Sequence, residues 1–223
     1  MKKTTFLFDF DGTLADTNQI VIDSWQHTFK AVKGNPGDEK WIISTFGEPL
    51  WLSMENAFPG EDVDEMIEIY REYQKQHYKE EIRPFPGMVD VIRELKRRGH
   101  KVGVITSRLR PTTEQGLKAF GIFNEIDAIV CAGETEKHKP NPEPALLGLK
   151  KLNSAKEDAV MIGDSDFDII CANRAGITSA MVDWAIADCS DTTGPQVASE
   201  ELIPKENVPD IFIKEAEEIL NLA

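Results

Sequence analysis

The sequence predicts an α/β protein built on a doubly wound parallel sheet, with a helical module inserted after the first strand. Three observations carry this reading. Short runs rich in β-branched residues, apolar on both faces, recur along the chain, as buried parallel strands do. Amphipathic helical patterns alternate with them. From about Asp16 to about Arg83 the strand pattern is missing and only helical patterns occur.

The elements follow in order. "TTFLFDF" (4–10) is the first strand. Helices are expected over 17–32, 38–46, 50–58 and 63–78, separated by "KGNPG", "GEP" and "PGED". A parallel crossover needs only one helix, so this stretch reads as an inserted module, with "RPFPG" (83–87) as the return hinge. In the helix over 87–99, Met88, Val91, Ile92 and Leu95 form one stripe and Gly99 the stop. The second strand is "KVGVITS" (101–107), and a helix over 110–121 has Pro111 at its start and Gly121 past its end. Strands at 127–133, 159–165 and 178–183 alternate with helices at 141–152 and 166–176. "VPDIFIKEAEEIL" reads as a short edge strand and a terminal helix. The expected division is a core of residues 1–15 and 84–223 and a helical cap of 16–83.

Composition bounds the function. The chain has 223 residues, 41% hydrophobic and 29% charged, enough for a dense core. A net charge of −14 disfavours nucleic acid and anionic membrane surfaces as partners. It leaves room for a small anionic substrate, because a metal ion inverts the local field. No run is long enough to span a membrane, and the apolar start is too short for a signal peptide and is broken by Asp9. Cys131, Cys171 and Cys189 form no CxxC pair, which favours a reducing, cytoplasmic setting and buried apolar roles for the thiols. Nothing in the sequence specifies an oligomeric state.

Ligands of such sheets bind beyond the carboxyl ends of the strands. Those ends hold Asp9 and Asp11, then Thr106, Ser107 and Arg108, then Lys137, His138 and Lys139, then Asp164, Asp166 and Asp168. Burying a carboxylate costs several kcal/mol unless it is paired or bound to a metal. Crowded carboxylates need a cation, and hard oxygen ligands with open positions suit Mg²⁺. One acid of the first pair can attack phosphorus while the other exchanges protons with the leaving oxygen and water. Competing motifs fail. "DSDFDI" lacks the glycine and glutamate of a calcium loop, having Ile169 and Ala175 there, and no GxGxxG or GxxxxGK[ST] pattern is present.

Taken together, "FDFDGTLADT", "VITS", the lysine of "HKPNPEP" and "IGDSDFDI" resemble, in order, the four motifs of the haloacid dehalogenase-like superfamily, whose core is a Rossmann-like sheet. The set spans the chain and is specific as a set. The inserted helices resemble the small cap of the first subclass, which includes phosphoglycolate phosphatases, β-phosphoglucomutases and a bacterial pyrophosphatase. "KVGVITSR", "EQGLKAFG" and "KHKPNPEPAL" look most like the pyrophosphatase and phosphoglycolate phosphatase group. The resemblance implies Asp9 as nucleophile and Mg²⁺ ligand, and Asp11 as general acid/base ligating Mg²⁺ through its carbonyl. It implies Thr106 on the phosphoryl group, Lys139 as charge neutraliser, Asp164 as Mg²⁺ ligand, and Asp168 orienting Lys139 or a metal-bound water. The second acid at Asp11 points away from carbon–halogen cleavage.

Plainer roles stand beside these. Thr106 and Ser107 taken singly read as a β-former and a turn residue, with Ser107 a candidate phosphate donor. Arg108 fits either the second anionic group of a substrate or a salt bridge. Asp166 reads as an exposed helix-start acid and Asp16 as the cap of the first inserted helix. Trp25, Trp41 and Trp51 read as core of the inserted module. Gly47, in "FGEPL", permits a close approach over the site. The expected activity is hydrolysis of a small phosphate compound, phosphoglycolate-like or pyrophosphate, through an aspartyl-phosphate. The alternatives are a sugar phosphomutase and a non-catalytic phosphate-binding or signalling protein.

Overall fold

The computed structural model describes residues 2–185 and 205–223. Strand β1 (Thr5–Phe8) is buried along its length, and its side chains alternate between two apolar layers. Phe6 and Phe8 enter one layer and Leu7 the other, which is why all three are apolar. The chain then turns at Gly12 into β2 (Ala15–Asp16). Helices α1 (Asn18–Lys33), α2 (Glu39–Ser44), α3 (Leu50–Ala57) and α4 (Val63–Glu81) follow. The return is β3 (Arg83–Pro84), antiparallel to β2, with Ala15 opposite Pro84 and Asp16 opposite Arg83.

The rest alternates as the periodicity requires: α5 (Met88–Arg97), β4 (Lys101–Ile105), α6 (Arg110–Ala119), β5 (Ala128–Val130), α7 (Glu143–Leu152), β6 (Ala159–Gly163), α8 (Asp166–Ala175), β7 (Thr178–Val182) and β8 (Ile211–Ile213). Six strands form one sheet in the order β5-β4-β1-β6-β7-β8, every pair parallel. Met88, Val91, Ile92 and Leu95 of α5 pack on the Phe6 face, and Leu149, Leu152, Cys171 and Ala175 of α7 and α8 on the Leu7 face. After β5 the chain crosses to the far side of β1, so the strand order reverses between β1 and β6. A crevice opens there at the carboxyl ends.

Helices α1 to α4 have their own core. Trp25 lies at its centre, with Trp41 edge-on at 5.4 Å, Tyr70 at 5.7 Å and Phe58 at 6.4 Å. Such pairings add about 0.5–1.5 kcal/mol each beyond area burial. Trp51 departs from the expectation and is 49% exposed. In α3 the buried positions are Ser53, Met54 and Ala57, one stripe of the helix, and Trp51 lies off it.

Three further expectations are corrected. Thr17, not Asp16, is the N-cap of α1, and Asp16 instead accepts from the Asn18 N–H at 3.3 Å. The β2–β3 ladder, at the two ends of the inserted stretch, is too short to leave an alternating pattern. The terminal helix is a short 3₁₀ segment, Ala216–Asn221, not an α-helix. Cys131 and Cys171 are buried as expected, while Cys189 lies outside the described residues.

Candidate active site

The backbone ladder of β1 continues one residue past the strand, with the Asp9 N–H donating to Ile162 O at 2.9 Å. This fixes the Asp9 carboxylate above the strand end. The chain then closes a tight turn in which the Gly12 N–H donates to Ala15 O at 2.9 Å. Gly12 has φ +75, and a Cβ there would sit 2.2 Å from Asp164 Oδ2. Glycine therefore serves twice, permitting the left-handed turn and admitting a second carboxylate beside Asp9. Thr13 Oγ1 donates to Asp164 Oδ1 at 3.3 Å.

Lys139 arrives from the segment between β5 and α7. Its Nζ donates to Asp9 Oδ1 at 2.6 Å, to Asp168 Oδ1 at 2.6 Å and to Ile105 O at 3.3 Å. All three side chains of this Asp–Lys–Asp bridge are at least nine-tenths buried. Asp168 is held from its other side, since the Ser165 N–H and Oγ donate to Oδ2 at 3.2 and 2.6 Å. Ser165 and Asp168 form the capping box that starts α8, so the helix start and the lysine clamp share one carboxylate. Gly163 makes this possible, because a Cβ there would lie 2.3 Å from that of Asp168.

Asp9, Asp164 and Asp168 each offer a carboxylate oxygen within 4.8 Å of the others. Three carboxylates face the one ammonium of Lys139, so the cluster holds more negative than positive charge. The electrostatics follow from that. Burial raises the Asp9 carboxyl to about 7, with Asp168 and Asp11 pushing the same way and Lys139 opposing. Burial, then repulsion from Asp168 and Asp9, also holds Asp164 well above the usual carboxylate range. Burial alone would lower Lys139, but Asp168 and Asp9 outweigh it and keep the ammonium protonated. A divalent cation fits this donor set. Both oxygens of Asp168 are engaged, so the carboxylates suited to hold it are Asp9 and Asp164.

Thr106 follows β4. Its N–H donates to Val130 O at 2.9 Å, and its Oγ1 accepts from the Arg108 N–H at 3.1 Å. Arg108 reaches back across the crevice, and its Nη1 donates to Asp11 Oδ1 at 2.7 Å. Its guanidinium lies 5.8 Å from the centre of the Phe10 ring. Of the two roles weighed for Arg108, a salt bridge is therefore present, made to Asp11 inside the crevice.

Asp9, Asp11, Gly47, Thr106, Ser107, Arg108, Lys139 and Asp164 all line one cavity of about 460 Å³. Asp168 lies behind Lys139, and the exposed Asp166 stands outside at the start of α8. Gly47, with φ +83, brings the α2–α3 loop against the core. A Cβ there would meet Ser165 Cβ and Oγ at 2.8 Å. Sequence reasoning missed the wall given by α4, where Tyr70, Arg71, Gln74 and Lys75 face the cavity. The signal available was polar residues at i, i+1, i+4 and i+5, which any solvated helix face also shows. It also missed Asn18, Glu48 and Ser165.

Known proteins bear on this geometry. The profile of the haloacid dehalogenase-like hydrolases matches residues 6–182. A Caldanaerobacter subterraneus protein assigned as pyrophosphatase PpaX is 36% identical over 222 residues, covering all of this chain and 95% of its own. Pyrophosphatase PpaX of Halalkalibacterium halodurans is 36% identical over 186 residues, covering 83% of this chain and 86% of its own. Among solved structures, a haloacid dehalogenase-like family protein of Streptococcus pneumoniae superposes with TM-score 0.80 at 26% identity, covering 98% of this chain and 97% of its own. A Lactobacillus plantarum protein assigned as a phosphoglycolate phosphatase gives 0.83 at 23% identity over the full length of both, a likeness of fold.

Fold and relatives together define the class, a hydrolase acting on phosphate compounds. The chain belongs to the haloacid dehalogenase-like hydrolase family. Among the described residues, no helix is long and apolar enough to cross a membrane.

Proposed function

We propose that the chain is a Mg²⁺-dependent phosphatase that hydrolyses pyrophosphate or a phosphoglycolate-like monoester through a phosphorylated Asp9, working in the cytoplasm. The observation that supports this most is the buried Asp9–Lys139–Asp168 bridge, opening on a cavity lined also by Asp11, Thr106 and Asp164. The two curated relatives named as pyrophosphatases put pyrophosphate first among the substrates.

Lys139 holds Asp9 Oδ1, so attack on phosphorus falls to Oδ2. The bond from phosphorus to the leaving oxygen breaks as the aspartyl–phosphorus bond forms. Asp11 gives the leaving oxygen a proton, then takes one from the water that cleaves the aspartyl-phosphate. Thr106 Oγ1 accepts from the Arg108 N–H, and its hydroxyl proton is offered to a phosphoryl oxygen. Asp9, Asp164 and the Asp11 carbonyl would hold Mg²⁺, which would supply positive charge against the transferring group. Residues 16–83 serve as the cap over a core of 1–15 and 84–223, and the Gly47 loop seats on Ser165 to exclude bulk water.

The test is an assay of pyrophosphate and a panel of small phosphate esters, with and without Mg²⁺, on the wild type and Asp9→Asn. Phosphate release that needs Mg²⁺ and falls at least about 10³-fold in the variant, whose fold persists, supports the reading. Substantial turnover by Asp9→Asn would refute Asp9 as nucleophile.

A further inference from the structure

We propose that Arg108 exchanges partners during binding: it holds Asp11 in the substrate-free site and releases it to grip a second anionic group of the substrate. The inference rests on the phosphatase reading and names the substrate class, a phosphate carrying another anion one or two bonds from the scissile oxygen.

Three observations converge on it. Arg108 is only 8% exposed at its side chain, yet it lines the cavity, so its charge is directed at whatever the cavity holds. It grips Asp11 Oδ1 at 2.7 Å, and Asp11 stands outside the cluster made by Asp9, Asp164 and Asp168. The residue proposed to serve the leaving oxygen is thus tied to the cavity wall instead of joining the nucleophile. The Phe10 ring beside the guanidinium restricts where it can go.

The chemistry favours exchange over simple addition. A guanidinium presents its donors in a planar fork that matches phosphate and carboxylate equally, so an entering anion that takes the Nη1–Nη2 edge in bidentate fashion displaces Asp11 from Nη1. Arg71 and Lys75 of α4 line the same cavity from the cap side, adding positive charge where the second anion would lie. Tyr70 lines the same cavity as Arg71, Arg108 and Asp11. A phosphate monoester whose leaving group carries no charge offers no second anion to Arg108 and leaves Asp11 tethered. The ion pair would therefore discriminate by chemistry as well as by affinity, since only a substrate with two anions frees the group that acts on its leaving oxygen.

The test compares kcat/KM for pyrophosphate and for p-nitrophenyl phosphate, with Mg²⁺ present, in the wild type, Arg108→Ala and Arg108→Lys. The ratio of the two values is expected to fall at least about tenfold in Arg108→Ala, with Arg108→Lys in between. A structure of the wild type with methylenediphosphonate, which needs no variant to fold, should show Arg108 on the distal phosphonate and Asp11 turned toward Asp9. An unchanged ratio, or an Asp11–Arg108 pair that persists under bound diphosphonate, overturns the exchange and leaves the phosphatase reading standing. A wild type that hydrolyses neither compound overturns that reading, and the exchange with it.

Discussion

At the scale of single residues, Lys139 decides whether the site can exist. It pairs with two carboxylates in a place largely shielded from water. Breaking a buried ion pair from one side leaves an uncompensated charge, which costs about 3–5 kcal/mol. Lys139→Met should therefore lower stability by about that much in chemical denaturation, in addition to abolishing turnover. Asp9→Asn acts oppositely on the fold, because it removes one of the acids crowding a single ammonium. Its melting temperature in chelator should equal or exceed that of the wild type. The acids were legible in the sequence, since charges that end apolar runs need a reason to be there; Lys139 sits in a polar loop beside Lys137 and His138, and only the resemblance singled it out. The Arg108–Asp11 pair was not legible. Its partners lie 97 positions apart, and nothing local marks which of several arginines will cross the crevice.

At the scale of elements, short runs meet at the strand ends because glycine lets them. A methyl group at Gly47 would meet Ser165 at 2.8 Å, with φ already at +83. Gly47→Ala should leave the melting temperature of the core within a few degrees, since the clash lies in a surface loop. It should cut kcat/KM at least about tenfold by holding the loop off α8. Equal activity would show that the loop does not seat during turnover. Ser165→Ala removes the α8 cap, at a cost of about 1 kcal/mol, or ~2–4 °C for a chain of this size. It also frees one side of Asp168, so activity should fall with stability. The parallel strands were readable because both faces of the sheet are covered, which makes each run continuously apolar. Four inserted helices were readable from their breakers. Trp51 was misjudged, because a large aromatic on a short helix carries no sign of which way it faces.

At the scale of the whole molecule, the charge cluster links metal, proton and stability. Asp9 has a folded value of about 7 against an ordinary value of 3.8, so without a cation the folded state binds a proton more tightly than the unfolded chain does. Its contribution to stability is present below about pH 4 and is lost as the pH rises through 7. A cation requires the ionised carboxylate, so Mg²⁺ should raise the melting temperature more at about pH 8 than at about pH 5.5. A Mg²⁺ shift that is equal at both, or larger in acid, would contradict this. The fold puts the cluster at the β1/β6 switch point; the sequence placed these acids at strand carboxyl ends, while the strand order that joins them left no local mark. Substrate choice was less legible, because the α4 wall comes from a helix whose polar face looks like any solvated surface. The most direct measurement is rapid acid quench of a turnover with ³²P-labelled pyrophosphate and Mg²⁺, followed by peptide mapping. The account predicts label on the peptide holding Asp9, absent in Asp9→Asn; full turnover with the label on another residue, or never on protein at any quench time, would contradict it.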